Sequence, residues 1–364
     1  MGCASASGTC GARCRSFAYW PFAIRNSRFL MTRNILSRLL QAVPTLAGVA
    51  VIVFVLVRVV PGNPIAMMLP PGASQADFDH LKALYGFDRS IPEQFYIWLR
   101  HAAVGDFGTS ISMRSGVLGL VLSRLPATLE LAILAAGIAI CLGVSAAVIG
   151  ARWQDRWPEA AVDAMTGFAQ SVPDFIWALA MILLLGVLVP VLPISGRSDP
   201  SINLNYATQF QLIESLLRLD GHASADLIRH MIMPALALAL PFSAIIARVL
   251  KTSLKEELTR DYVLLARVKG FSEWRVIVGE ALRNAAIPTV TLTGVQFTFL
   301  IGGTVLIERI FSYPGIGNLA IDAVINRDLP VIQGLVLVFA LLFIAVNLLL
   351  DVATVSLDPR LSHG

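Results

Sequence analysis

Six stretches of about 20 mostly apolar residues, the length a helix needs to cross the hydrocarbon core of a bilayer, dominate this 364-residue chain. They run near 39–60, 126–150, 161–190, 231–250, 285–307 and 331–352. Hydrophobic residues make up 56% of the chain and charged residues only 14%, where a soluble domain carries roughly a quarter charged. That much apolar surface cannot be hidden in one aqueous core, so lipid must solvate part of it. In lipid every backbone N–H and C=O has to pair internally, which leaves helices as the spanning element. The expectation is therefore an all-α polytopic membrane protein with six transmembrane helices and no soluble domain. Pro44, Pro173, Pro234 and Pro241 fall inside or at the ends of spans, where neighbouring helices can satisfy the carbonyls they free.

Charge placement suggests an orientation. The first 40 residues carry six arginines (13, 15, 25, 28, 33 and 38) and no acid, and the 251–284 loop holds Lys251, Lys255, Arg260, Arg267, Lys269, Arg275 and Arg283. Basic excess marks segments retained in the cytoplasm. An even number of spans then places both termini inside and makes 61–125 and 191–230 external. These two segments read as small caps with helix-like patches at 77–85, 92–101 and 210–219, interrupted by Pro-Gly and Gly-Asp turns. Residues 1–30 form a Ser/Gly/Ala-rich leader without the apolar stretch of a signal peptide. The reading takes them as a disordered tail, and Met31 offers an alternative start. Cys10 and Cys14 are half of a metal-site spacing, but no His or second Cys pair accompanies them. Neither basic region has the aromatic interleaving of a nucleic-acid platform, so no nucleic-acid partner is expected.

Several chemistries are missing. There is no G-x-x-x-x-G-K-[ST] phosphate cradle, no H-E-x-x-H and no Cys-x-x-Cys pair, so neither a bound nucleotide nor a metal is expected from these motifs. The five histidines are scattered over external segments and the C-terminal tail. No cofactor and no catalytic residue are assigned. Energy for any uphill work has to come from a partner or an ion gradient.

The informative stretch is 260–274, Arg-Asp-Tyr-Val-Leu-Leu-Ala-Arg-Val-Lys-Gly-Phe-Ser-Glu-Trp. A helical pattern leads to Gly270, which can take the left-handed geometry that ends a helix, and Ser272 can cap a second helix. Helix, glycine turn and helix make a short elbow, with the small Ala266 and Gly270 spaced to admit another surface. On the residues alone, a docking elbow and an amphipathic loop lying on anionic lipid remain open alternatives. Inside the membrane, Asp174 follows Pro173 near the middle of the third stretch. A buried acid there costs roughly 2.5–3.5 kcal/mol, so it either lines a translocation path or packs against a neighbour. Glu130, near the outer end of the second stretch, is the other candidate path residue, with Arg58 as a conceivable partner. Asn347 and Asp351, four apart, read as helix ties.

On these residues the chain resembles the inner-membrane permeases of binding-protein-dependent ABC importers, and within them the first (B-type) permease of dipeptide and oligopeptide systems. The elbow is similar to the family's cytoplasmic coupling loop at Asp261-Tyr262, Ala266, Lys269-Gly270 and the following 281–288, Ala-Leu-Arg-Asn-Ala-Ala-Ile-Pro. It departs from the general motif at Leu264 and Leu265, as peptide permeases do. The resemblance extends over 31–362. It includes 57–64 (with Asn63 where Asp is usual), 124–131, Gln170-Ser171-Val172-Pro173, 308–317 (Glu-Arg-Ile-Phe-Ser-Tyr-Pro-Gly-Ile-Gly) and Leu357-Asp358-Pro359-Arg360.

The resemblance implies a type I ABC importer permease domain over 31–362, with an external cap at 61–125 and a coupling loop at 251–284 in the bacterial inner membrane. It implies three kinds of partner: a second related permease, two cytoplasmic ATPase subunits and an external solute-binding protein. It also implies that Asp261, Tyr262, Ala266, Arg267, Lys269, Gly270 and Phe271 transmit ATPase closure to a pathway that alternates between its two sides. A secondary transporter or channel is the competing class. It predicts inverted repeats with broken spans at matching positions, and none is visible. A structural scaffold would not need the elbow.

Overall fold

The computed structural model describes residues 40–55, 74–76, 78–79, 88–202, 204 and 206–357. The leader 1–30, most of 77–85 and the ending 358–364 lie outside the described residues. All regular elements among the described residues are helical: α1 (Leu40–Val55), α2 (Ile91–Ala103), α3 (Val117–Arg152), α4 (Trp157–Ser171), α5 (Asp174–Met181), α6 (Gln211–Leu217), α7 (Gly221–Glu257), α8 (Asp261–Val268), α9 (Leu282–Ile310), α10 (Ile316–Ile325) and α11 (Leu329–Leu357). A short turn, Glu273–Arg275, and a π-helical turn, Val276–Ala281, lead into α9 without a break.

Among the described residues four helices are long and apolar enough to cross a membrane: α3, α7, the continuous Glu273–Ile310 segment and α11. The pair of α4 with Asp174–Leu188, in which a π-helical turn at Ile182–Leu188 continues α5, makes a fifth if its two limbs count as one. Of the six spans expected, four, or five with the bent pair, are thus found among the described residues. The first expected stretch, 39–60, appears as α1, which by itself is too short to qualify, and 56–60 are outside the described residues. The third stretch is broken, with α4 and α5 meeting at 99°. Hydropathy averages over such a break; its cause is local. Pro173 has no N–H to continue the helix, and its ring holds Val172 extended at φ −98°, ψ 123°. Asp174 therefore opens a new helix instead of sitting in the middle of one.

The centre of the bundle is α7. Its most apolar window is 61% buried, against 39% for α3 and 33% for α11. Helices in lipid gain little from hydrophobic exclusion, so they associate through small residues that let backbones approach. The α3 face presents Ala132, Ala135, Ala139, Gly143 and Ala147, and α7 answers with Ala235, Ala239 and Ala247, all buried. At Gly143 the approach is closest. A Cβ added there would lie 2.7 Å from the Ile246 side chain and 2.8 Å from the Ser243 carbonyl. Two further clusters flank this core. One joins Val117 and Val121 of α3 to Ile316 and Leu319 of α10 and Val331 and Leu335 of α11. The other lies at the opposite end of α3 and α7, under the elbow.

Gly143→Leu is expected to force α3 from α7 and destabilise the bundle by about 1–3 kcal/mol, the usual range for overpacking. Thermal unfolding in detergent would register a lower midpoint; an unchanged midpoint would show that the contact is slack.

Candidate functional site

The elbow comprises α8, the glycine turn and the lead-in to α9. Asp261 starts α8, where an acid in the first turn complements the helix dipole. The helix ends in a Schellman arrangement. Gly270 adopts φ +82°, the Phe271 N–H donates to the Ala266 carbonyl (3.3 Å), and the Gly270 N–H donates to that of Arg267 (2.9 Å). The positive φ read from the sequence is thus present. No neighbouring side chain crowds Gly270: nothing lies within 4 Å of an added Cβ. Ser272 occupies the cap position of the next turn with extended backbone angles, but its hydroxyl makes no capping bond. Arg267 closes the elbow with a two-pronged contact to Glu273, Nε to Oε1 at 3.0 Å and Nη2 to Oε2 at 3.3 Å.

The two faces of the elbow differ. Beneath it, Val263, Ala266, Ile277 and Ala281 are buried against Ala147, Ala151, Leu250 and Leu254 at the ends of α3 and α7. Tyr262 and Phe271 pack partly into the same cluster. The Tyr262 hydroxyl donates to Glu257 Oε2 at 2.6 Å and accepts from Asn284 Nδ2 at 3.1 Å, tying α7, α8 and α9 together. The Arg275 guanidinium stacks 4.3 Å from the Phe271 ring. The outer face carries Leu264, Leu265 and Val268, which are 60%, 54% and 78% exposed, together with exposed Lys269 and Gly270. One correction follows for the expected pair of small residues. Ala266 points into the chain's own core and does not share the outer face with Gly270. Spacing of four residues fits either face, so only the packing of Val263 and Ala266 decides it.

Of the candidate path residues, Asp174 is half-buried at the α4–α5 bend, its Oδ1 accepting from the Phe175 N–H at 2.8 Å. Its carboxylate also faces α9, 3.2 Å from where a Cβ of Gly303 would lie. Glu130 is 3% exposed. It accepts from Arg197 Nη2 at 2.6 Å and from the N–H groups of Leu212 (3.0 Å) and Ile213 (3.1 Å) in the first turn of α6. Arg58, the partner the sequence offered, lies outside the described residues; Arg197, from the segment between α5 and α6, holds the carboxylate. Asn347 donates to the Phe343 carbonyl of its own helix at 2.7 Å, and nothing is described of the Asp351 side chain.

Sequence reasoning gave no role to three acids that fix the rest of this face. Glu308 is fully buried. It accepts from the Thr128 hydroxyl of α3 (2.6 Å) and the Asn318 N–H of α10 (3.0 Å), while the Ile316 N–H donates to the same Thr128 (2.9 Å). A Cβ at Gly315 would sit 2.3 Å from the Glu308 carboxylate, and one at Gly317 would sit 2.5 Å from the Val305 backbone. The Pro-Gly-Ile-Gly run is therefore what lets the chain fold back over its own acid. Asp328, also buried, accepts from the hydroxyls of Ser110 (2.6 Å) and Ser112 (2.8 Å). Burial alone would raise its carboxyl, but those hydrogen bonds outweigh it and hold it below the ordinary range. Glu214 accepts from Thr208 and the Ala207 N–H and pairs with Arg218; the Thr208 hydroxyl leads the contacts that draw it down to about 2. An acid beside an apolar run was the available signal, but one sequence does not name its partner.

Residues 139–363 match the family described as "binding-protein-dependent transport system inner membrane component", and residues 31–132 match the N-terminal family that accompanies it. The chain is 38% identical over 336 residues to the di/tripeptide transport system permease protein DppB of Pseudomonas aeruginosa, which spans 92% of this chain and 99% of that one. To the glutathione transport system permease protein GsiC of Escherichia coli it is 34% identical over 333 residues, covering 92% and 100%. Among solved structures it is similar to an inward-facing MetNI methionine ABC transporter, with TM-score 0.50, 14% identity and coverage of 66% of this chain and 96% of that one. At that identity the likeness concerns the fold alone.

Glu130→Ala is expected to destabilise the folded chain by about 3–5 kcal/mol, because it strands the buried Arg197. The Glu130→Ala/Arg197→Leu double variant should recover part of that loss. Thermal unfolding of the three variants would measure it; a double variant no better than the single would mean that the stranded charge is not the cause.

Proposed function

The chain belongs to the inner membrane components of binding-protein-dependent transport systems, and from that premise we propose that it is the pore-forming permease of an ATP-driven importer of di- and oligopeptides. The relatives named for di/tripeptide and glutathione transport support a small-peptide substrate, glutathione being itself a tripeptide. The proposed assembly pairs this chain with a second permease, two ATPase subunits on the cytoplasmic side and a solute-binding protein on the other. Both termini and the 251–284 loop are assigned to the cytoplasm on the basic excess of that loop. The sixth span is assigned to 39–60.

The single observation that carries the coupling role is the uncovered apolar face of the elbow. Leu264, Leu265 and Val268 project from a loop otherwise rich in charge, and a rigid exposed patch of that kind marks a protein contact. We assign that face to a groove on the ATPase, with Gly270 keeping the rim open and Asp261 and Lys269 at its polar edge. Ala266, Tyr262, Arg267 and Phe271 act from below, by fixing the elbow to the ends of α3, α7 and α9. Asp174, at the broken span, is the proposed lining residue of the pathway. Glu130 holds the external segment in place instead of lining the path.

The topology has a direct test. A reporter fused after Gly364 should read cytoplasmic and one inserted at Ser198 external; the same side for both would defeat the six-span assignment.

Coupling is tested in the reconstituted complex. Gly270→Trp adds strain of about 1 kcal/mol or more at a left-handed position and fills the open rim. Val268→Asp places a charge on the outer face without touching the core. Both variants should insert normally yet lose most uptake and the stimulation of ATP hydrolysis by loaded binding protein. Normal uptake with normal stimulated hydrolysis in both would remove this elbow from the coupling path.

A further inference from the structure

Beside the elbow lies a cavity of about 340 Å³ that none of the preceding roles uses. It falls at the lower end of the range of small-ligand pockets, which begins near roughly 300 Å³. Arg152 ends α3, Arg156 precedes α4, Lys255 comes from the last turn of α7, and Arg267 and Glu273 come from the elbow. Four cations thus face one carboxylate. Arg267 is matched by Glu273, and Lys255 is paired with Glu159 from the rear. Among the described residues neither the Arg152 nor the Arg156 guanidinium has a carboxylate partner, and the Arg152 Nε is buried without a hydrogen bond.

Offsetting helix dipoles accounts for only part of this charge. Arg152 and Lys255 sit at helix C-termini, where a cation is favourable. Arg156 does not: it flanks the N-terminus of α4, where the dipole disfavours it. A surplus of two guanidiniums around a cavity calls for an anion, and guanidinium forks match phosphate oxygens. The surroundings indicate the source. Trp153 and Trp274, next in sequence to the lining residues Arg152 and Glu273, stack edge to face at 5.9 Å, and Trp157, which follows Arg156, is 81% exposed. Tryptophans gathered with arginines at one end of a membrane bundle mark the level of lipid headgroups.

We propose that this cavity binds a phosphate group, supplied by the headgroup of an anionic phospholipid from the adjoining leaflet. Arg152 and Arg156 belong to α3 and the α3–α4 turn, so the bound headgroup rests on the bundle beside the elbow. The inference needs only that this end of the bundle lies at the membrane surface. It stands even if the elbow proves not to couple to an ATPase.

The test is native mass spectrometry of the purified complex after exchange into mixed micelles containing phosphatidylglycerol or phosphatidylcholine. The native protein should retain phosphatidylglycerol in preference to phosphatidylcholine. Retention should weaken by about tenfold for each arginine replaced in Arg152→Gln and Arg156→Gln, the value of one charge-assisted bond. Arg156 is exposed, so its variant reports binding even if Arg152→Gln lowers stability. A parallel arm with millimolar inorganic phosphate and no anionic lipid separates the sources. If free phosphate protects the native protein against thermal unfolding through the same arginines and phosphatidylglycerol does not displace it, the lipid assignment fails. Equal retention of both lipids, or retention unchanged in Arg152→Gln/Arg156→Gln, overturns the site. So does a double variant that loses only its ATPase subunits.

Discussion

Everything else in this molecule hangs on how closely α3 can lie against α7. In lipid there is no water to expel between helices, so their affinity comes from contact area and from the absence of voids. The alanine stripe and Gly143 supply both, Gly143 leaving the space that the branched Ile246 side chain of α7 fills. Once these two helices are locked, their ends serve as platforms. One pair of ends carries the segment between α5 and α6 through Glu130 and Arg197; the other carries the elbow on Ala147, Ala151, Leu250 and Leu254. The distance between the two functional surfaces is thus set by a single rigid pair.

Polar groups pin the turns that leave this pair. Glu308, Asp328 and Glu130 are each held by hydroxyls, N–H groups or a guanidinium from a segment far away in sequence. A buried acid costs several kcal/mol if left alone and is tolerated when it is fully hydrogen-bonded. That asymmetry gives each turn one favoured position. Gly315 and Gly317 show the same logic in steric form: their missing side chains are the space that Glu308 occupies.

Much of this was legible from the residues. Long apolar runs located α3, α7, α9 and α11, because hydrophobic length is a property a single sequence carries. Gly270 was readable as a turn because only glycine takes its φ without strain. What stayed hidden depends on pairing. The 99° break after Ser171 is invisible to hydropathy, since both limbs are apolar, and only Pro173 hinted at it. The burial of Ala266 was not legible either, because a spacing of four residues does not say which side of α8 is buried. The partner of Glu130 lies 67 positions away, and no local pattern encodes that distance.

The π-helical turn at Val276–Ala281 gives the elbow's connection to α9 a property that a plain helix would lack. A π turn holds one residue more than the α ladder requires. Each residue of an α-helix accounts for about 100° of rotation and 1.5 Å of rise. If that spare residue were taken up into α geometry, everything before it would turn about the α9 axis by that angle while advancing by that small step. Such a step would pair a shift of about 1.5 Å along the axis with a change of facing of about 100°.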